Sequence, residues 1–150
     1  MRIRTELADT DEIVIRCRER NSKIRAVEEA IADVLRGDSE IVLLGDGREH
    51  FVPKSDVLYF ESFDGKVYAH TADEVYTAPY KLFELESIMP PTFIRVSKSA
   101  IANIGKISSL RRELVGNGEM TFKDSDKKVY FSRAYYKLLQ YRINEMRLEK

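Results

Sequence analysis

Turn signals recur so closely between residues 57 and 131 that only short strands fit between them. Asp64-Gly65, Ala72-Asp73, Gly116-Asn117-Gly118 and Asp124-Ser125-Asp126 combine residues that tolerate a positive φ or bond their own backbone. The runs between them, residues 57–60, 66–71, 74–77, 107–110, 120–122 and 129–131, are rich in β-branched and aromatic side chains. Such punctuation, about every 8–12 residues, predicts stacked antiparallel sheets in a mainly β chain, α+β overall. Two helices complete this part. Pro79 opens one, with Leu82, Leu85 and Ile88 inward, and Pro90-Pro91 stops it. Ser132 stands at the cap position of the other, with Arg133 in its first turn and Tyr135, Leu138, Leu139, Ile143 and Met146 along one face.

The first 49 residues read differently, as a small β-α-β element. Ile13-Val14-Ile15 with Cys17 reads as a strand, which makes Cys17 a small core or half-buried residue. Asn21 or Ser22 caps a helix whose apolar face is Ile24, Val27, Ile31, Val34 and Leu35, and Gly37 ends it. Ile41-Val42-Leu43-Leu44 is a second strand, and Gly45-Asp46-Gly47 turns it into a hairpin. The expected division is therefore 1–49, with a dimerisation role, and 50–150.

Composition narrows the function. No apolar run approaches the ~20 residues of a membrane span, and a single cysteine fits a reducing, cytoplasmic setting. The net charge of zero hides a segregation. Residues 1–91 carry 12 Lys and Arg against 19 Asp and Glu, a net of −7; residues 92–150 carry 13 against 6, a net of +7. A basic half suits a polyanionic partner. Enzymatic signals are missing: His50 and His70 are far apart, and neither metal-binding Cys/His spacing nor a phosphate-binding glycine loop occurs. The expectation is a non-enzyme without cofactor or metal.

The basic half opens on Phe93-Ile94-Arg95-Val96-Ser97-Lys98-Ser99-Ala100-Ile101-Ala102-Asn103. It starts as a strand and breaks into a cationic, hydroxyl-rich triplet. Small polar donors beside a cation suit a phosphate backbone and base edges. Arg133, at a helix N-terminus, adds a cation where free N–H groups already favour an anion.

This stretch, with residues 57–62, 66–77, 82–89, 106–110 and the later Val129-Tyr130-Phe131-Ser132-Arg133, resembles the LytTR-type DNA-binding domain of bacterial transcription regulators. The resemblance spans about residues 50 to 147. It implies three small antiparallel sheets stacked in a β-β-β sandwich, whose loops enter successive major grooves of double-stranded DNA. Carried over by position, it implies DNA contacts from Lys66, Arg95, Lys98, Ser99 and Arg133, with Asn103 supporting the loop and Arg95 able to do either. Ser97 stands where a His is common, and Lys98 where an Arg often stands. It further implies a stand-alone regulator without a receiver domain, binding paired half-sites as a homodimer, under control of an unidentified signal or partner protein. The alternative is a protein-interaction module without DNA binding; RNA binding is a third reading.

Overall fold

A computed structural model describes residues 1–35 and 40–148. Two compact units divide it, Met1–Gly37 and Asp38–Lys150.

In the first unit the regular element is α1, Ser22–Leu35. Asn21 caps it, its Oδ1 accepting the Ile24 N–H at 3.0 Å, and Ile24 is buried. Arg20 reaches Glu28 through two bonds of 2.9 Å. Residues 1–20 carry no strand. The expected strand at residues 13–15 is thus corrected: Ile13 and Val14 are 59% and 61% exposed, and no second strand pairs with their backbone. Cys17 is likewise exposed rather than half-buried. Gly37, expected to end the helix, lies outside the described residues.

The second unit begins with β1 (Glu40–Gly45) and β2 (Arg48–Pro53), joined by Asp46 and Gly47 at φ 52° and 71°. Their expected role as the tail of a separate β-α-β element is corrected as well. β1 pairs with β5 (Val75–Ala78), so this hairpin extends a seven-stranded antiparallel sheet of order β2-β1-β5-β4-β3-β7-β6. The reason is burial: Ile41, Leu43 and Val52 need the same core as the rest of the sheet. The remaining strands are β3 (Val57–Phe63), β4 (Lys66–Thr71), β6 (Phe93–Ser97) and β7 (Ala100–Asn103). A second sheet holds β8 (Ile107–Arg112), β9 (Gly118–Phe122) and β10 (Lys128–Phe131) in the order β10-β9-β8. There are two sheets rather than the three small ones expected, because β1, β2 and β5 merge with β3, β4, β6 and β7.

One face of the large sheet is buried along its length, and the other is covered over β3, β7 and β6. On one face Val57, Phe60, Phe93 and Ile101 pack with Leu82, Leu85 and Met89 of and just after α2 (Leu82–Ile88). Glu84 anchors the start of α2 by accepting the Lys81 N–H at 2.9 Å. On the other face Leu58, Tyr59, Ile94, Val96, Ala100 and Ala102 meet Met120, Phe122, Val129 and Phe131 of the second sheet and Leu139 of α3 (Arg133–Leu148). A bulge between Val57 and Tyr59 lets Leu58 and Tyr59 both enter this second cluster. Fully buried Phe60, Phe122 and Phe131 each stabilise the fold by roughly 1.5–3 kcal/mol relative to exposure. On α3 the inward face is Tyr136, Leu139, Ile143 and Met146; Leu138, expected inward, is 51% exposed. The guanidinium of Arg112 lies 4.3 Å over the Tyr136 ring and helps hold that residue in its place.

Candidate nucleic-acid interface

Three backbone-anchored hydrogen bonds tie the cationic loops of the second unit into one chain of contacts. The first joins two hairpin tips. β3 and β4 are linked by Asp64 and Gly65 at φ 51° and 78°, a two-residue turn that only such residues adopt easily. The Ser62 N–H at this tip donates to the Ser99 carbonyl at 2.8 Å, bringing the β3–β4 tip, which ends on Lys66, beside the β6–β7 tip.

The β6–β7 tip is braced from within. Arg95 Nε donates to the Ser97 carbonyl at 2.9 Å, and its Nη2 to the Lys98 carbonyl at 2.7 Å. Its third nitrogen reaches Glu86 on α2 at 3.4 Å. Ser97 Oγ accepts the Ser99 N–H at 3.2 Å and lies 3.3 Å from the Ser99 hydroxyl. Only Arg, with several donors in a rigid plane, can clamp two successive carbonyls and a carboxylate together.

The second bond leaves this hairpin for α3. β6 is an edge strand with a bulge between Arg95 and Ser97. The bulged Val96 turns its carbonyl to the Ser132 N–H at 2.9 Å. The third bond caps α3. Ser132 was the expected cap, but the Arg133 N–H donates instead to Asn117 Oδ1 at 2.8 Å. Asn117 sits in the β8–β9 turn, which the Gly116 N–H closes on the Glu113 carbonyl at 3.0 Å. The same turn carries Arg133's stem: a Cβ on Gly116, at φ 95°, would lie 2.6 Å from Arg133 Cγ.

Lys66, Lys98, Ser99 and Arg133 are exposed, and none of the three cations joins an ion pair among the described residues. The structure therefore connects Lys66, Lys98, Ser99 and Arg133 through Ser62, Val96 and Asn117. Asn117, Ser62 and Val96 escaped sequence reasoning. Asn117 looked like a turn residue, and nothing in a sequence announces a cap supplied from 16 residues away.

Two of the expected site residues bond the protein's own backbone. Arg95 is spent on its own loop, as described. Asn103 is 3% exposed; its Nδ2 donates to the Val57 carbonyl at 3.1 Å and its Oδ1 accepts the Gly105 N–H at 3.1 Å. It bonds backbone as expected, but at the far end of the β6–β7 hairpin, where it pairs with Phe93, and not at the Ser97–Ser99 tip.

The two histidines lie outside these loop tips. His50 Nε2 is 3.1 Å from the Gly45 carbonyl. His70 stacks on Tyr59 at 4.3 Å and bonds Glu61 Oε1 at 3.0 Å, and burial lowers its pKa against the opposing pull of Glu61. A cleft bordered by Asp56, Asp73, Lys106 and Lys123 carries both signs of charge. Among the described residues no group of three or more His, Cys, Asp or Glu could hold a metal ion, and no helix is long and apolar enough to cross a membrane.

Comparisons with known proteins align with this geometry. The family model described as the LytTr DNA-binding domain matches residues 47–144. Two uncharacterized HTH-type transcriptional regulators of Staphylococcus aureus, from strains NCTC 8325 / PS 47 and N315, are each 32% identical over 126 residues, 83% of this chain and 83% of theirs. A solved LytTr DNA-binding domain from Bacillus cereus superposes with a TM-score of 0.64 at 26% identity, over 70% of this chain and 96% of that one. The relatives' names speak of a helix-turn-helix, yet here α2 and α3 are separated by five strands, and no two helices of the described residues are joined by a short turn.

Proposed function

Because the chain belongs to the LytTr DNA-binding domain family, we propose that its linked loops are the surface through which it reads double-stranded DNA. The protein is a DNA-binding transcription regulator, and the reading as an interaction module without DNA binding is not favoured. The observation that carries the assignment of the surface is the unbroken run of contacts Ser62–Ser99, Val96–Ser132 and Asn117–Arg133, which sets three unpaired cations on a rigid frame. Loop tips held by backbone bonds lose little freedom on binding, so their charge is available for phosphates and bases.

In this reading Lys98 and Lys66 neutralise phosphates, and Arg133 contacts a base edge or a phosphate. Arg95 and Asn103 act indirectly, by shaping loop and frame. Ser99 presents both its hydroxyl and a fixed backbone. The protein acts without an enzymatic step, in the cytoplasm, as a homodimer on paired half-sites. The separate Met1–Gly37 unit supplies the dimer contact, consistent with Val34 standing 78% exposed on α1.

The test is duplex binding to the promoter region of its own gene, at two salt concentrations, with scrambled DNA as competitor. Specific binding whose log K falls by about 0.9 per phosphate neutralised for each decade of salt is expected. A folded protein that binds no duplex specifically would remove the surface from consideration.

A further inference from the structure

Phe63 is the large apolar side chain of the two hairpin tips joined by the Ser62–Ser99 bond, and it is 73% exposed; Leu114 and Val115 stand exposed in the separate β8–β9 turn. Tyr59, Glu61 and Phe63 share a face of β3. The second sheet covers Tyr59, whose ring stacks on Phe122 at 5.5 Å, but leaves Phe63 bare. The fold does not need it there. Asp64 and Gly65 make the turn, and the Ser62 backbone makes the bond to Ser99. The face is that of Tyr59, in the cluster that also holds Val96, whose carbonyl positions the start of α3.

The tip's charge is informative too. Asp64, within the turn, offsets the charge of Lys66 beside it, so this tip carries less net positive charge than the loops of Lys98 and Arg133 and draws on Lys66 alone for a phosphate. A two-stranded ribbon fits the major groove of B-DNA, where the apolar feature of the base edges is the thymine methyl.

We infer that Phe63, at the β3–β4 tip joined to the cationic loops through Ser62 and Ser99, reads a thymine by packing its ring on the 5-methyl group. This rests on the proposed DNA surface and adds to it a specificity-determining contact that is apolar. Lys66 then holds the hairpin against the backbone, while Phe63 distinguishes thymine from cytosine.

The experiment starts from duplexes that the full chain selects out of a random-sequence library. Each selected duplex is remade with deoxyuridine in place of one thymine at a time, which removes only the methyl. Parent protein and Phe63→Ala are compared on both. At one position in each half-site the parent should bind the deoxyuridine duplex about fourfold more weakly, the value of one buried methyl. Phe63→Ala should bind the thymine duplex at least about fourfold more weakly and no longer tell the two apart. Its melting temperature should be unchanged, since the ring is exposed, and Phe63→Leu should keep a thymine preference. A parent indifferent to every methyl, or a Phe63→Ala variant that retains the preference, would overturn the inference and leave the DNA surface standing. A library that yields no enriched sequence would overturn the DNA surface and the inference together.

Discussion

The side chain of Asn117 caps the helix that begins at Arg133, its Oδ1 accepting the Arg133 N–H at 2.8 Å from 16 residues away. One hydrogen bond thus joins a turn of the second sheet to the start of α3 and sets the position of a cation at a helix N-terminus. Asn117→Ala should cost roughly 1 kcal/mol in urea denaturation, the usual worth of such a cap. It should also weaken specific duplex binding, because Arg133 loses its anchor. Arg133→Ala should weaken specific binding with stability changed by no more than about 0.5 kcal/mol, as for an exposed side chain. If Asn117→Ala alters stability but leaves binding untouched, the cap is not what places Arg133.

Arg95 and Lys98 are three residues apart and should fail differently. Lys98→Ala leaves the clamp of Arg95 on the Ser97 and Lys98 carbonyls intact. It should lower affinity evenly across sequences and reduce the salt slope by about 1, as for a lost phosphate contact. Arg95→Ala frees two carbonyls and a carboxylate, so it should lower the melting temperature as well as binding. Arg95→Lys should not restore either, since a single ammonium cannot span the set. Rescue by lysine would show that only charge matters at this position.

Asn103→Ala should destabilise by about 1–3 kcal/mol, because it strands the buried Val57 carbonyl and takes the partner from the Gly105 N–H. Binding measured well below the melting temperature should change little, since the residue sits at the opposite end of the hairpin from Lys98. A large binding defect at full stability would instead make Asn103 part of the DNA surface.

His70 makes stability depend on pH. Burial beside Tyr59 and the nearby Lys127 hold its pKa below the ordinary 6.5, and Glu61 only partly opposes them. The folded protein therefore keeps a neutral ring, donating Nε2–H to Glu61, at pH values where the unfolded chain takes up a proton. That stability is present above the unfolded pKa and is lost as pH falls below it. The urea midpoint should drop between about pH 7 and pH 5, and drop less in His70→Gln. Parallel curves for the two proteins would assign the pH dependence to other groups.

Local chemistry, which needs only neighbours in sequence, was legible. The Asp64-Gly65 and Asp46-Gly47 turns form as their residues require. Residues 57–60 form a strand, as their β-branched and aromatic side chains suggested, and are buried. α2 lies between the prolines that bracket it, and the motif around Ser97-Lys98-Ser99 marked the family. Long-range partners were not legible, because hydrogen bonds across a sheet or onto a helix end depend on which surfaces must be buried together. That demand merged the β1–β2 hairpin with the main sheet, left residues 13–15 without a partner, and exposed Leu138 while turning Tyr136 inward. It also turned Arg95 onto its own loop and gave the cap of α3 to Asn117. The sequence by itself determined the short-strand, tight-turn character of the chain and the cationic residues it displays. Only the tertiary structure decided which of those cations stand on one connected frame, since that frame consists of backbone bonds between segments that the sequence keeps far apart.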